Sequence, residues 1–178
     1  MPLTLLLAAA LQAAAPAPAA RPGTPTEGLA QIFISACLDG TLKLAPGQAK
    51  ELRRDQLSRL DADDAKGSKS ARYFKILQPE QAMLVIAQYD PPPGGGQTSL
   101  CMIDSRLELK AAVKLVHTAV SGMKPIHSFN GESYNAFLPA ERVAILVTRT
   151  QMAVTGYDEA GAALVAKKLG LSAGRAGH

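Results

Sequence analysis

The apolar residues of this chain change period near residue 70, and that change constrains the fold more than any other feature. Before it they recur at the steps of a helix, and after it they fall in short extended runs. Thr24, Pro25 and Glu27 read as a helix start: a cap, a proline suited to the first helical position, and a capping-box glutamate. One apolar face follows through Leu29, Ile32, Phe33, Ala36 and Cys37, and Asp39-Gly40 ends it. Pro46 predicts a second helix to Leu60, with Ala49, Leu52, Leu57 and Leu60 inward. A polar loop follows over residues 61–68.

Ala71–Leu77, Gln81–Tyr89 and Ser99–Ile103 then read as strands, Met83–Ala87 being apolar on both faces as in a central strand. Asp90–Gly96, with its three prolines and three glycines, must be loop. Ser105 and Glu108 read as a second capping box, before a helix of Leu109, Ala112, Val113, Val116 and Val120 that Gly122 ends. Pro125–Phe129 is extended, and Asn130-Gly131 marks a tight turn into Ser133–Leu138. Arg142–Thr148 is a strong strand, with Gln151–Tyr157 as its antiparallel partner. A last helix starts at Asp158 or Glu159 and carries Leu164, Val165 and Leu169.

Helices, strands, helix, strands, helix, with hairpin-length links, define an α+β fold rather than a doubly wound parallel sheet. The expectation is an antiparallel sheet of about five to six strands packed against about three to four helices. No internal repeat is visible in the residues. The predicted division is a signal peptide over 1–19, a linker over 20–23, one domain over 24–170 and a disordered tail over 171–178. Met1–Leu11 is a short apolar run, and Gln12–Ala20 is small residues with prolines, the outline of a secretory leader. Ala17 and Ala19 fit a cleavage site before Ala20. The run falls short of the about 20 apolar residues a membrane span needs, so no transmembrane segment is expected after cleavage.

Export to an oxidising compartment makes Cys37 and Cys101, the two cysteines of the chain, a disulfide pair. Such a bridge closes a loop of about 65 residues, worth roughly 4 kcal/mol in the chain-entropy account. Abundant Ala, Gly, Pro and Arg point to a GC-rich bacterial genome and hence to the periplasm.

With no Trp, four Phe and four Tyr, the core must be aliphatic, and base- or sugar-stacking platforms are disfavoured. The net charge of +4 is scattered, without the basic stripe of a nucleic-acid binder. Its expected partner is an envelope protein or polymer.

No P-loop, GxGxxG, GxSxG, CxxC or HxxxH spacing is present, so neither a cofactor nor a metal is expected. The sharpest enzymatic pattern is Cys101 followed by His117, His127 and Asn130, the order of Cys-His-Asn hydrolases. Against it, Cys101 lies in an apolar strand, where nothing lowers a thiol pKa. His117 reads as a boundary position of its helix and His127 as an exposed strand position. Asn130, Glu132, Ser133, Tyr134 and Asn135 form the densest polar cluster, a candidate recognition loop set against a plain solvated hairpin. The combined expectation is a small exported, non-catalytic binding or accessory protein, with a thiol-dependent hydrolase as the alternative.

Overall fold

The computed structural model describes residues 24–42, 44–57 and 66–169. The leader over 1–19, the linker over 20–23, the tail over 171–178 and most of the polar loop lie outside the described residues. Helix α1 spans Pro25–Phe33, and its capping box forms as the sequence predicts. Thr24 Oγ1 accepts from the Glu27 N–H at 3.3 Å, and the Glu27 carboxylate accepts from the Thr24 N–H at 2.7 Å. A π-helical turn, Ile34–Leu38, carries the helix on to Asp39, and Gly40 leaves it with a φ of 65°.

One antiparallel sheet has the strand order β1-β2-β3-β4-β8-β7-β6-β5. Its first half is β1 (Ala49–Leu52), β2 (Ser70–Ile76), β3 (Ala82–Gln88) and β4 (Gln97–Asp104). Its second half is β5 (Ile126–Phe129), β6 (Tyr134–Leu138), β7 (Val143–Val147) and β8 (Gln151–Tyr157). Each half is an up-and-down meander, and the two join where β4 pairs with β8, Met102 opposite Ala153. Helix α2 (Leu109–Val120) links the halves, and helix α3 (Glu159–Lys168) follows the second. A helix leading into a four-stranded meander thus occurs twice.

The α+β class holds, and the sheet is larger than expected: eight strands, with three α-helices among the described residues. One extra strand lies where Pro46 predicts a helix. Pro46-Gly47 instead makes a turn, with Gly47 at φ 77° and the Gln48 N–H donating to the Ala45 carbonyl at 2.9 Å. Proline then glycine at the centre of a turn, with positive φ at the second, is the type II pattern. Ala49–Leu52 leaves that turn as β1, paired with Tyr73–Ile76. Backbone pairing with a strong neighbouring strand overrides a weak helical preference. A second correction concerns α2. Ser105 and Glu108 form no capping box; Glu108 is itself the cap, its carboxylate accepting from the N–H groups of Lys110 (3.2 Å) and Ala111 (2.8 Å).

Strand alternation gives the sheet two faces. On one, α1 and α2 lie side by side and cover Ile76, Leu84, Ile103, Ile145, Val147 and Met152. Leu29 and Phe33 of α1 and Val116 and Val120 of α2 are fully buried there. Full burial of such a side chain stabilises by about 1.5–3 kcal/mol. Across this layer Glu108 N–H donates to Thr26 Oγ1 at 2.9 Å, fixing the start of α2 against α1. The second face is covered unevenly. In the first half, Leu52 and Leu57 pack on Tyr73, Val85 and Ala87, the last two fully buried. In the second half, Ala144 and Leu146 on the same face are half-exposed and Asn135 is exposed.

Candidate functional site

The unevenly covered face holds a cavity of about 590 Å³. Register fixes its floor. Leu100 of β4, Thr155 of β8 and Ala144 of β7 are direct cross-strand neighbours in one row. Met102, Ala153, Leu146 and Asn135 form the next row, from β4 to β6. Ile126, His127 and Ser128 of the edge strand β5 line one part of it, and Val165 of α3 with Leu169, the residue that caps the helix end, line another. The apolar floor is interrupted by His127, Ser128, Asn135, Gln151, Thr155 and Tyr157, and no described lining residue carries a carboxylate, ammonium or guanidinium group. Burial raises the Tyr157 phenol above its ordinary pKa, partly offset by a hydrogen bond with Thr155. It therefore stays protonated at neutral pH, able to donate as well as accept.

The wall stands because the proline–glycine loop seats the start of α3. Asp158 caps the helix: its Oδ1 accepts from the Gly161 N–H at 2.7 Å and from the Gly96 N–H at 3.0 Å. The Asp158 N–H donates to the Gly96 carbonyl at 3.1 Å. Gly95 sits at φ +95°, where a Cβ would run into Ala160 and the backbone of Gly161. Glycine is required there both for its backbone angle and for the closeness of the helix. Beyond this anchor α3 touches the sheet lightly. Gly161 and Ala162 are buried, while Leu164 and Leu169 are 53% and 51% exposed.

The structure joins Cys37 and Cys101 in a disulfide, with Cα atoms 5.3 Å apart. No thiolate exists at Cys101 while that bond is intact. His117 and His127 come together instead with Tyr134, on the helix-covered face at the edge of the sheet. The two imidazole centres are 4.8 Å apart, and His117 Nδ1 lies 3.1 Å from the Tyr134 hydroxyl. The polar cluster divides. Asn130 holds the β5–β6 turn, its Oδ1 accepting from the N–H groups of Glu132 (3.0 Å) and Ser133 (2.8 Å). Glu132 is exposed and Ser133 half-exposed, whereas Tyr134 is buried.

Of the cavity residues, the sequence singled out only Asn135, within the polar cluster, and His127, within the Cys-His-Asn order. One signal for the others exists: Val143–Val147 is apolar on both faces, and α1 and α2 cover one of them. Among the described residues no group of three or more His, Cys, Asp or Glu side chains could hold a metal ion, and no helix is long and apolar enough to cross a membrane. Comparison with known proteins finds no matching family model, no matching curated protein and no matching solved structure.

Proposed function

We propose that the protein is a small exported, non-catalytic binding protein of the bacterial envelope, and that its ligand is a neutral, mainly apolar small molecule held in the cavity beneath α3. The observation that carries this reading is a lining that holds no carboxylate, ammonium or guanidinium group among its described residues. About 590 Å³ of concave space with an aliphatic floor and a few hydrogen-bonding groups has the size and make-up of a small-molecule site. Burying an ionised ligand group there without a partner would be costly, which favours a neutral ligand. Ser128, Asn135, Gln151, Thr155 and Tyr157 supply the donors and acceptors that would orient it. The disulfide supports an oxidising compartment, in keeping with the leader.

Nile red, a neutral apolar dye, tests the site. The protein should bind it saturably with a blue-shifted, enhanced emission. Ala144→Phe places a ring over the cavity floor at a half-exposed position, and should weaken binding at least tenfold while leaving the melting temperature within about 2 °C, as for surface changes. Dye binding that is non-saturable, or unchanged by Ala144→Phe, contradicts the reading. A concentration-dependent dimer that Ala144→Phe disrupts would show that the face is covered by a second copy instead.

A further inference from the structure

We propose that His117 and His127 form a two-nitrogen site for a divalent transition-metal ion of the Cu²⁺ or Zn²⁺ type, with Tyr134 as its positioning residue. The two histidines are ten positions apart, one on α2 and one on the edge strand β5. Only the packing of β5 and β6 beside α2 unites them. Their ring centres are 4.8 Å apart with planes inclined by 63°. Metal–nitrogen bonds of about 2.1 Å, with each ring centre about 1.2 Å further out, put the centres of two imidazoles bound at about 90–110° some 4.6–5.4 Å apart. The observed separation lies in that span.

The surroundings of His117 fit the same role. Ligating histidines almost always engage their second ring nitrogen with a fixed partner, which sets tautomer and orientation. Here Tyr134 does so, its hydroxyl 3.1 Å from His117 Nδ1. The Tyr134 side chain is 1% exposed, so this hydroxyl is held by the core. With Nδ1–H donating to the phenol oxygen, the lone pair of Nε2 is left for a metal. The Tyr134 ring also stacks at a tilt near His127, with centres 5.8 Å apart. His127 is exposed, with its Nδ1 3.5 Å from the Pro125 carbonyl oxygen; with that nitrogen donating, Nε2 is left for a metal, and water can complete the coordination shell. Imidazole nitrogen suits copper and zinc, and copper binds more tightly in the usual order of divalent ions. The bound ion would tie the end of α2 to a four-residue edge strand that is exposed along its whole length.

The test uses the metal-free full chain titrated with Cu²⁺, read by calorimetry and by electron paramagnetic resonance. The expected result is one ion per chain with two nitrogen ligands, and an affinity that falls at least tenfold in His117→Gln and in His127→Gln. Tyr134→Phe keeps both imidazoles. It should lower affinity about tenfold and shift the copper hyperfine values, a change that loss of packing alone would not cause. Unchanged affinity in His127→Gln, an exposed side chain whose replacement leaves the core intact, overturns the site. So does Cu²⁺ retained at full affinity by the double variant, which would place the ion at His178 or the chain terminus.

Discussion

Tyr134 buries its ring among the helix-facing core residues and turns its hydroxyl to His117. Burial pushes its phenol above the ordinary pKa, and does the same at Tyr157. The fold therefore holds both phenols in their neutral form, while the unfolded chain ionises them near pH 10. Between that pH and the higher folded values the unfolded chain binds fewer protons, so stability falls as pH rises. Below about pH 10 the full contribution is present. Urea midpoints measured across this range should hold steady and then decline above about pH 10. Tyr134→Phe should make the decline shallower, at a cost of about 1 kcal/mol at neutral pH for the lost hydrogen bond. A variant that declines as steeply as the parent would show that this phenol is not a source of alkaline sensitivity. The Glu51–Arg72 ion pair is a contrasting case. Its 2.8 Å contact lowers the Glu51 pKa and raises that of Arg72, but both groups lie in solvent, where such pairs contribute little.

The elements differ in how far the residues announce them. The start of α1 was legible because its cap is local chemistry: Thr24, Pro25 and Glu27 need no distant partner. The β7–β8 hairpin was legible for the same reason, its two runs being adjacent in sequence. Strand β1 was not, because its helical spacing competed with a pairing to β2 that only the folded sheet supplies. The Pro46-Gly47 dipeptide was the available clue, since it marks a turn more strongly than a helix start. The start of α2 shows a subtler failure: Ser105 and Glu108 have capping-box spacing, yet the glutamate caps alone. At this scale the disulfide fastens the π-helical turn that follows α1 to β4. Cys37→Ser or Cys101→Ser should cost about 2–5 kcal/mol in chemical denaturation. The double variant should match either single one, because each removes the whole bridge. Stability unaffected by reductant would contradict the bridge.

The whole molecule repeats one plan, a helix followed by a four-stranded meander, and joins the two copies through β4 and β8. This repetition left no trace in the sequence, since a shared topology needs only a similar order of elements. Nor did the order of residues show that β4 and β8 would be neighbours, and the cavity floor depends on that pairing. Its rows run Leu100–Thr155–Ala144 and Met102–Ala153–Leu146, across strands far apart in the chain. The two halves differ in their second face. Leu52 and Leu57 cover the first, burying Val85 and Ala87 completely. Over the second, among the described residues, stands α3, anchored at its start by Asp158 and Gly96. Under the proposed function this half-covered aliphatic face is where the ligand sits, and a lining without carboxylate, ammonium or guanidinium groups favours an apolar one.

Chemical-shift mapping tests that claim most directly. Isotope-labelled protein would be titrated with 1-decanol, a neutral chain with one hydroxyl, and each backbone amide followed. Saturable shifts concentrated at Leu100, Met102, Leu146, Ala153, Thr155 and Val165, with the helix-facing residues Leu84 and Val116 unmoved, are the predicted result. Shifts that never saturate, or that leave these cavity positions unmoved, would contradict the assignment of this face as the binding site.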